Sequence, residues 1–154
     1  MKIVAINGSP NIEGNTYHAL KMVGTKLEEN GSDFEIIHLG NKVIRGCIAC
    51  WKCRVNKDEK CSIITDQLNE WIQTMKKSDG IILGSPVHYA GISGTMKSFM
   101  DRPFYVARSN GGLFRHKLGT AVVAVRRTGV GVIIFYFILT NFFIWSHSIN
   151  RNNL

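Results

Sequence analysis

Apolar and polar positions follow two alternating periods along the first 128 residues of the chain. Lys2–Ile6 is a short apolar run that stops at Asn7-Gly8-Ser9-Pro10, a string of turn formers, and predicts a strand followed by a loop. Thr16–Glu29 places Ala19, Leu20, Val23 and Leu27 at the spacing of one helix face, with Asn30-Gly31 as the stop. Asp33–Leu39 reads as a second strand. Asp66 suits the cap of a second helix, whose apolar positions are Leu68, Trp71, Ile72 and Met75 and whose negative end carries Lys76-Lys77. Gly80–Gly84 is almost continuously apolar, as in a strand covered on both faces. Ser93–Met100 predicts a shorter helix ended by Arg102-Pro103, and Leu118–Val125 a fourth buried strand. Strands alternating with helices in this way predict an α/β fold on a parallel, doubly wound sheet with right-handed crossovers.

The pattern breaks near Thr128. All 11 acidic residues precede residue 102, and the 26 residues from Gly129 onward hold one charge, Arg151. Six of the 15 aromatics lie between Phe135 and Trp145. The chain therefore divides into residues 1–128 and an atypical hydrophobic tail, 129–154. Val130–Trp145 is 16 residues long, short of the roughly 20 of a spanning helix. Three readings of the tail stay open: a membrane anchor flanked by Arg126-Arg127, a buried helix or strand, and the end of a truncated or frame-shifted gene.

Composition narrows the class. A length of 154 residues suits one domain, and 45% hydrophobic with 19% charged residues excludes a disordered or collagen-like chain. The net charge of +8 raises the question of nucleic acid, but the basic residues are scattered from Lys2 to Arg127 rather than gathered on one element. No nucleic-acid partner is expected. Met1 leads straight into a strand-like segment, so no signal peptide is expected and the cytoplasm is the predicted compartment.

Two segments carry candidate chemistry. Residues 7–16 join the first strand to the first helix, where ligands of doubly wound sheets bind. Ser9, Asn11, Asn15 and Thr16 offer hydroxyl and amide donors there, and the helix N-terminus favours an anion. The segment is neither a Walker loop nor a three-glycine dinucleotide loop, and spacing alone leaves a phosphate loop and a plain polar turn equally open. The second segment holds Cys47, Cys50, Cys53 and Cys61, all the cysteines of the chain, within 15 residues. Such bunching argues against structural disulfides. Four thiolates at this spacing suit a 4Fe–4S cluster; zinc or redox-active thiols, and reduced cysteines without metal, are the alternatives.

A strand ending in Asn7-Gly8-Ser9-Pro10, with Gly14-Asn15-Thr16 opening the next helix, resembles the FMN phosphate loop of the flavodoxin-like NAD(P)H-dependent FMN reductases. Gly84–Gly91 and Ala124–Gly129 resemble the two segments of that family that lie against the flavin ring. The resemblance covers residues 1 to about 129 and implies a flavodoxin-like sheet lacking its regular last strand–helix unit. It also implies FMN as cofactor, with Ser9, Asn11, Asn15 and Thr16 on its phosphate. Pro86, Val87, His88 and Tyr89 would lie along the ring, and Arg126 or Arg127 near its N1–O2 edge. It gives no protein nucleophile, and His88 is not assigned as acid or base. The cysteine spacing is similar to the compact motif of the iron–sulfur flavoproteins of the same family, which implies a homo-oligomer.

The function so implied is NAD(P)H-dependent electron transfer through FMN to a quinone, a nitro compound or an iron–sulfur partner. The alternatives are an iron–sulfur flavoprotein acting as an electron carrier and a truncated, inactive FMN-binding module. The expected partners are a small-molecule electron acceptor or a redox protein. A membrane would be met only through the tail.

Overall fold

In the computed structural model, which describes residues 1–129 and Gly131, β1 (Lys2–Asn7) lies between β2 (Asp33–His38) and β3 (Gly80–His88), parallel to both. On the other side of β3 runs β5 (Leu118–Ala124), also parallel, so the parallel order is β2-β1-β3-β5. The two-residue β4 (Gly91–Ile92) folds back antiparallel on the end of β3. Between the strands stand α1 (Asn15–Glu29), α2 (Lys52–Asn56), α3 (Leu68–Lys77) and α4 (Gly94–Ser109). This is the expected α/β doubly wound arrangement.

Strand alternation divides the core between the two faces of the sheet. Ile3, Ala5 and Ile82 meet Leu20 of α1 on one face. Val4, Ile6, Ile81 and Leu83 meet Trp71, Ile72 and Met75 of α3 and Met96 and Phe99 of α4 on the other. Both faces of β1 are thus covered, which is why its sequence is apolar throughout. The buried stripe of α1 is Thr16, Leu20 and Gly24, with half-buried Leu27 beside it, rather than the Ala19-Leu20-Val23-Leu27 face expected from hydropathy. Val23 stands 36% exposed, and Gly24 takes the inner place because Phe34 of β2 packs where a β-carbon would stand.

The structure departs from the other expected elements at identifiable points. The helix predicted to stop at Arg102-Pro103 continues to Ser109 with Pro103 inside it. Proline costs the helix one backbone bond, but Phe99, Met100, Arg102, Pro103, Val106 and Ala107 are all buried on this segment. Burial of that face outweighs the missing bond. The third strand runs on from Gly84 to His88, so what was expected as a loop is a strand end and a hairpin. Asp66 is not the cap of α3, which is Gln67, although its Oδ1 accepts from Leu68 N at 3.2 Å. The fourth parallel strand is not buried: Leu118 is exposed and Ala121–Ala124 are half-buried, because among the described residues β5 has one neighbouring parallel strand, β3. No helix among the described residues is long and apolar enough to cross a membrane. The three readings of the tail, and the expectation that the last strand–helix unit is lacking, fall on residues outside those described.

Candidate functional site

The chain steps from β1 to β2 in one direction and from β1 to β3 in the other, which opens a crevice at the carboxyl ends of β1 and β3. Residues 8–14 fill the lip of this crevice. Their backbone is pinned from three sides. Gly8 N donates to Gly84 O of β3 at 2.8 Å, Ser93 Oγ donates to Gly8 O at 2.7 Å, and the Asn7 side chain accepts from Ser9 N at 3.1 Å. Ser9 Oγ accepts from Asn11 N at 3.2 Å. Gly40, just beyond β2, passes so close that a β-carbon there would lie 1.5 Å from Ser9 O. Only glycine permits that approach.

This lip feeds the N-terminus of α1, whose cap is Gly14 and which has no side-chain cap bond. The Oγ1 of Thr16, in the first turn, is buried without a hydrogen-bond partner. A hydroxyl shielded from water and left unpaired is costly, on the order of 1–3 kcal/mol. Together with the uncapped helix N-terminus, it fits an anionic group such as a phosphate. Ser9 is buried as well, whereas Asn11 and Asn15 are exposed at the rim.

The other expected flavin-contacting residues gather at the same edge. Pro86 and Val87 are half-buried at the end of β3, and Pro86 pairs with Ala124 of β5. His88 and Tyr89 are exposed. Tyr89 and Ala90 form the two-residue turn to β4 with φ of 47° and 64°, a left-handed pair of the kind that closes tight hairpins. Non-glycine residues hold it at a cost of roughly 1–2 kcal/mol each. Gly129, at φ +100°, lies against Val87 and Ala90, so the segment after β5 closes on the hairpin. Arg126 and Arg127 are exposed between β5 and that contact.

One group at this edge has no counterpart in the sequence reading. His38, at the end of β2, accepts at Nδ1 from Asn7 Nδ2 at 3.1 Å, which assigns the ring proton to Nε2. That Nε2 is buried without a partner. Burial, and then the nearby Lys42 charge, hold the imidazole below its ordinary pKa.

The four cysteines lie elsewhere. All of them line one open pocket between the cysteine loop and the middle of α4, beside Arg102 and Tyr105. Four residues of the loop, Ala49, Trp51, Lys57 and Glu59, have φ between 50° and 61°. These left-handed steps wind the chain tightly and turn successive thiols toward the same cavity. Trp51, bulky at the mouth, packs edge-on against Tyr105 at 5.7 Å, and Arg54 stacks over its ring at 4.7 Å. The Cys50 thiol bonds Ser62 Oγ at 3.1 Å, and that bond, with the backbone N–H of Lys52, holds its pKa below the usual thiol value.

Beneath the loop lies Arg102, 1% exposed. It forms a bidentate pair with Asp66 and donates to the carbonyls of Arg45 and Ile63 and to Cys61 Sγ. Burial works against the charged form, but the bonds to Asp66 and Cys61 outweigh it and raise the guanidinium pKa. In the sequence, Arg102 before Pro103 reads as a helix end. Its signal was a charge on the apolar stripe Met96-Phe99-Pro103-Val106 of α4.

Among the described residues, no three Cys, His, Asp or Glu side chains converge as they would on a single metal ion. Four thiols lining one pocket are the donor set that either a 4Fe–4S cluster or a zinc ion takes.

A family model described as NADPH-dependent FMN reductase matches residues 1–141. An iron-sulfur flavoprotein of Methanocaldococcus jannaschii is 40% identical over 132 residues, 84% of this chain and 65% of the relative. Another iron-sulfur flavoprotein of that organism is 31% identical over 122 residues, 79% of this chain and 60% of the relative. The chain spans less than two thirds of the length of either. A solved FMN-dependent NADH-azoreductase from Bacillus anthracis in complex with FMN superposes with a TM-score of 0.62 at 18% identity, over 94% of this chain and 82% of that one. At that identity the likeness shows the fold, which is flavodoxin-like. With the family model running through both candidate sites, the chain belongs to the NADPH-dependent FMN reductase family.

Proposed function

We propose that the chain binds FMN at the carboxyl edge of its sheet and acts as an NAD(P)H-dependent oxidoreductase, passing electrons to a small-molecule acceptor such as a quinone or nitro compound, or to a redox protein. The observation that carries this reading is Thr16: a buried, unpartnered hydroxyl at an uncapped helix N-terminus, on the lip of the sheet's switch point. FMN, when bound, supplies hydride acceptance and one-electron release.

The chain's own residues supply placement and charge. Ser9 and Thr16, with Asn11 and Asn15 at the rim, bind the phosphate. Pro86, Val87, His88 and Tyr89 present the hairpin to the ring. Arg126 and Arg127 put positive charge where reduction makes the flavin negative. The cysteine pocket is read as the seat of a 4Fe–4S cluster held by Cys47, Cys50, Cys53 and Cys61. This is supported by the four thiols lining one cavity and by the iron-sulfur flavoproteins among the relatives.

The test is optical. Purified protein given FMN anaerobically should retain flavin absorbance through gel filtration and lose it on addition of NADPH or NADH. Protein that elutes colourless overturns the reading. Flavin that is retained but not bleached by either nucleotide overturns its reductase part.

A further inference from the structure

We propose that Arg102 is the positioning residue of the cysteine site, fixing the Cys61 sulfur and both ends of the cysteine loop so that the centre ligated there is easier to reduce. The proposal rests on the iron–sulfur reading given above. A guanidinium has five N–H donors. All five are used here. Nη1 and Nη2 grip the Asp66 carboxylate, the second at 3.1 Å to Oδ1. Nη1 also donates to Arg45 O at 3.2 Å and Nη2 to Ile63 O at 2.9 Å. Nε donates to Cys61 Sγ at 3.3 Å.

These partners bracket the site. Arg45 stands two residues before Cys47, and Ile63 two residues after Cys61. One side chain of α4 therefore closes the loop at its base, and the same group touches the one thiol that arrives from the loop's far side. Further along α4, Ser109 Oγ meets Cys53 Sγ at 3.8 Å, and Asn110 donates to Cys53 O and accepts from Glu59 N. At its other end, Ser93 holds Gly8 O in the phosphate lip. The cysteine site and the phosphate lip thus share one helix as their frame.

Four of the five bonds would serve a purely structural anchor. The fifth does more. Asp66 balances the charge of Arg102, so what reaches the sulfur is chiefly a directed N–H. A hydrogen bond donated to a ligating thiolate stabilises the added electron and raises the reduction potential. Reduction here adds one electron to the centre, with no bond made or broken at Cys61 and no proton moved.

The experiment reconstitutes the full chain anaerobically with ferrous iron and sulfide, then titrates it with dithionite. Two variants are compared with the wild type. Arg102→Lys keeps the charge but lacks the fork. The double variant Arg102→Met with Asp66→Leu removes both members of the buried pair and leaves no unpaired charge to unfold the chain. The wild type should take up iron. Arg102→Lys should bind iron with a reduction equilibrium constant lower by about tenfold, 59 mV for a one-electron couple. The double variant should remain folded, as read by its melting transition, and lose most of its iron. Wild-type potential in Arg102→Lys together with full iron in the double variant overturns the proposal while leaving the iron–sulfur reading intact. A wild type that stays folded and takes up no iron overturns that reading, and the proposal falls with it.

Discussion

Residues 8–16 turn from β1 into α1 without a single non-glycine residue at positive φ, whereas residues 47–61 hold four. The first segment is built from short-range parts: a strand end, a turn, a helix start, and backbone bonds to the neighbouring strand. The second has little regular structure of its own, one five-residue helix, and is shaped from beneath by Arg102 and Ser109 of α4 and by Asn110 just after it. A phosphate needs several N–H and O–H groups aimed at one point, which a sheet edge and a helix N-terminus provide at little conformational cost. Four thiols need to face one cavity, and the loop that carries them takes four left-handed steps. Those steps persist because a buried side chain over-determines the loop.

If that division is right, the two regions should fail differently. Arg102→Ala leaves the Asp66 carboxylate buried and unpaired and should cost about 3–5 kcal/mol in urea unfolding, the largest effect expected of any single change here. Gly40→Ala strikes the other region: its β-carbon would lie 1.5 Å from Ser9 O, so the phosphate lip must move. A loss of about 1–3 kcal/mol is expected, with FMN affinity down at least roughly tenfold by fluorescence titration. Thr16→Val separates stability from binding. The apo protein should gain about 1 kcal/mol, because an unpaired buried hydroxyl is replaced by a methyl, while FMN binding weakens about tenfold. Lower stability in the apo variant would show that the Thr16 hydroxyl already has a partner.

Smaller effects sharpen the picture at the edge. Ala90→Gly relieves one left-handed residue of the hairpin and should stabilise the fold by about 0.5–1 kcal/mol in thermal melts. The last prediction concerns pH. The folded pKa of His38 lies below the ordinary 6.5, chiefly because of burial and then because of Lys42. The unfolded chain therefore takes up this proton first. The contribution of neutral His38 is complete above about pH 6.5 and is lost as the pH falls from there through the folded value. Protonation also removes the acceptor that Asn7 Nδ2 uses. A decline of stability over this window should be absent from His38→Gln in denaturation series at stepped pH.

How much of this was legible in the sequence follows the same division. The four parallel strands and the loop at residues 7–16 could be read because hydropathy period and turn residues are local signals. The cysteine spacing was equally plain. What supports it was not, since Arg102 and Asp66 lie 36 positions apart and neither shows its partner in any window. The same blindness ended α4 at Pro103: a proline is a local signal, and the burial that overrides it is tertiary. Tyr89 and Ala90 carry none of the glycine or asparagine that marks a tight hairpin, so no local signal announces β4. Hydropathy scores Val23 rather than Gly24 as the inner residue, while the space beside Phe34 admits no side chain.

The most direct test of the claim that this edge is a phosphate-binding flavin site compares FMN with riboflavin in calorimetric titrations of the same protein. The two ligands share the ring and differ in the phosphate that Ser9, Thr16 and the start of α1 are proposed to bind. FMN binding roughly 100-fold or more tighter than riboflavin, with the gap narrowing in Thr16→Val, is the expected result. Equal affinities for the two, or no binding of either, would contradict it.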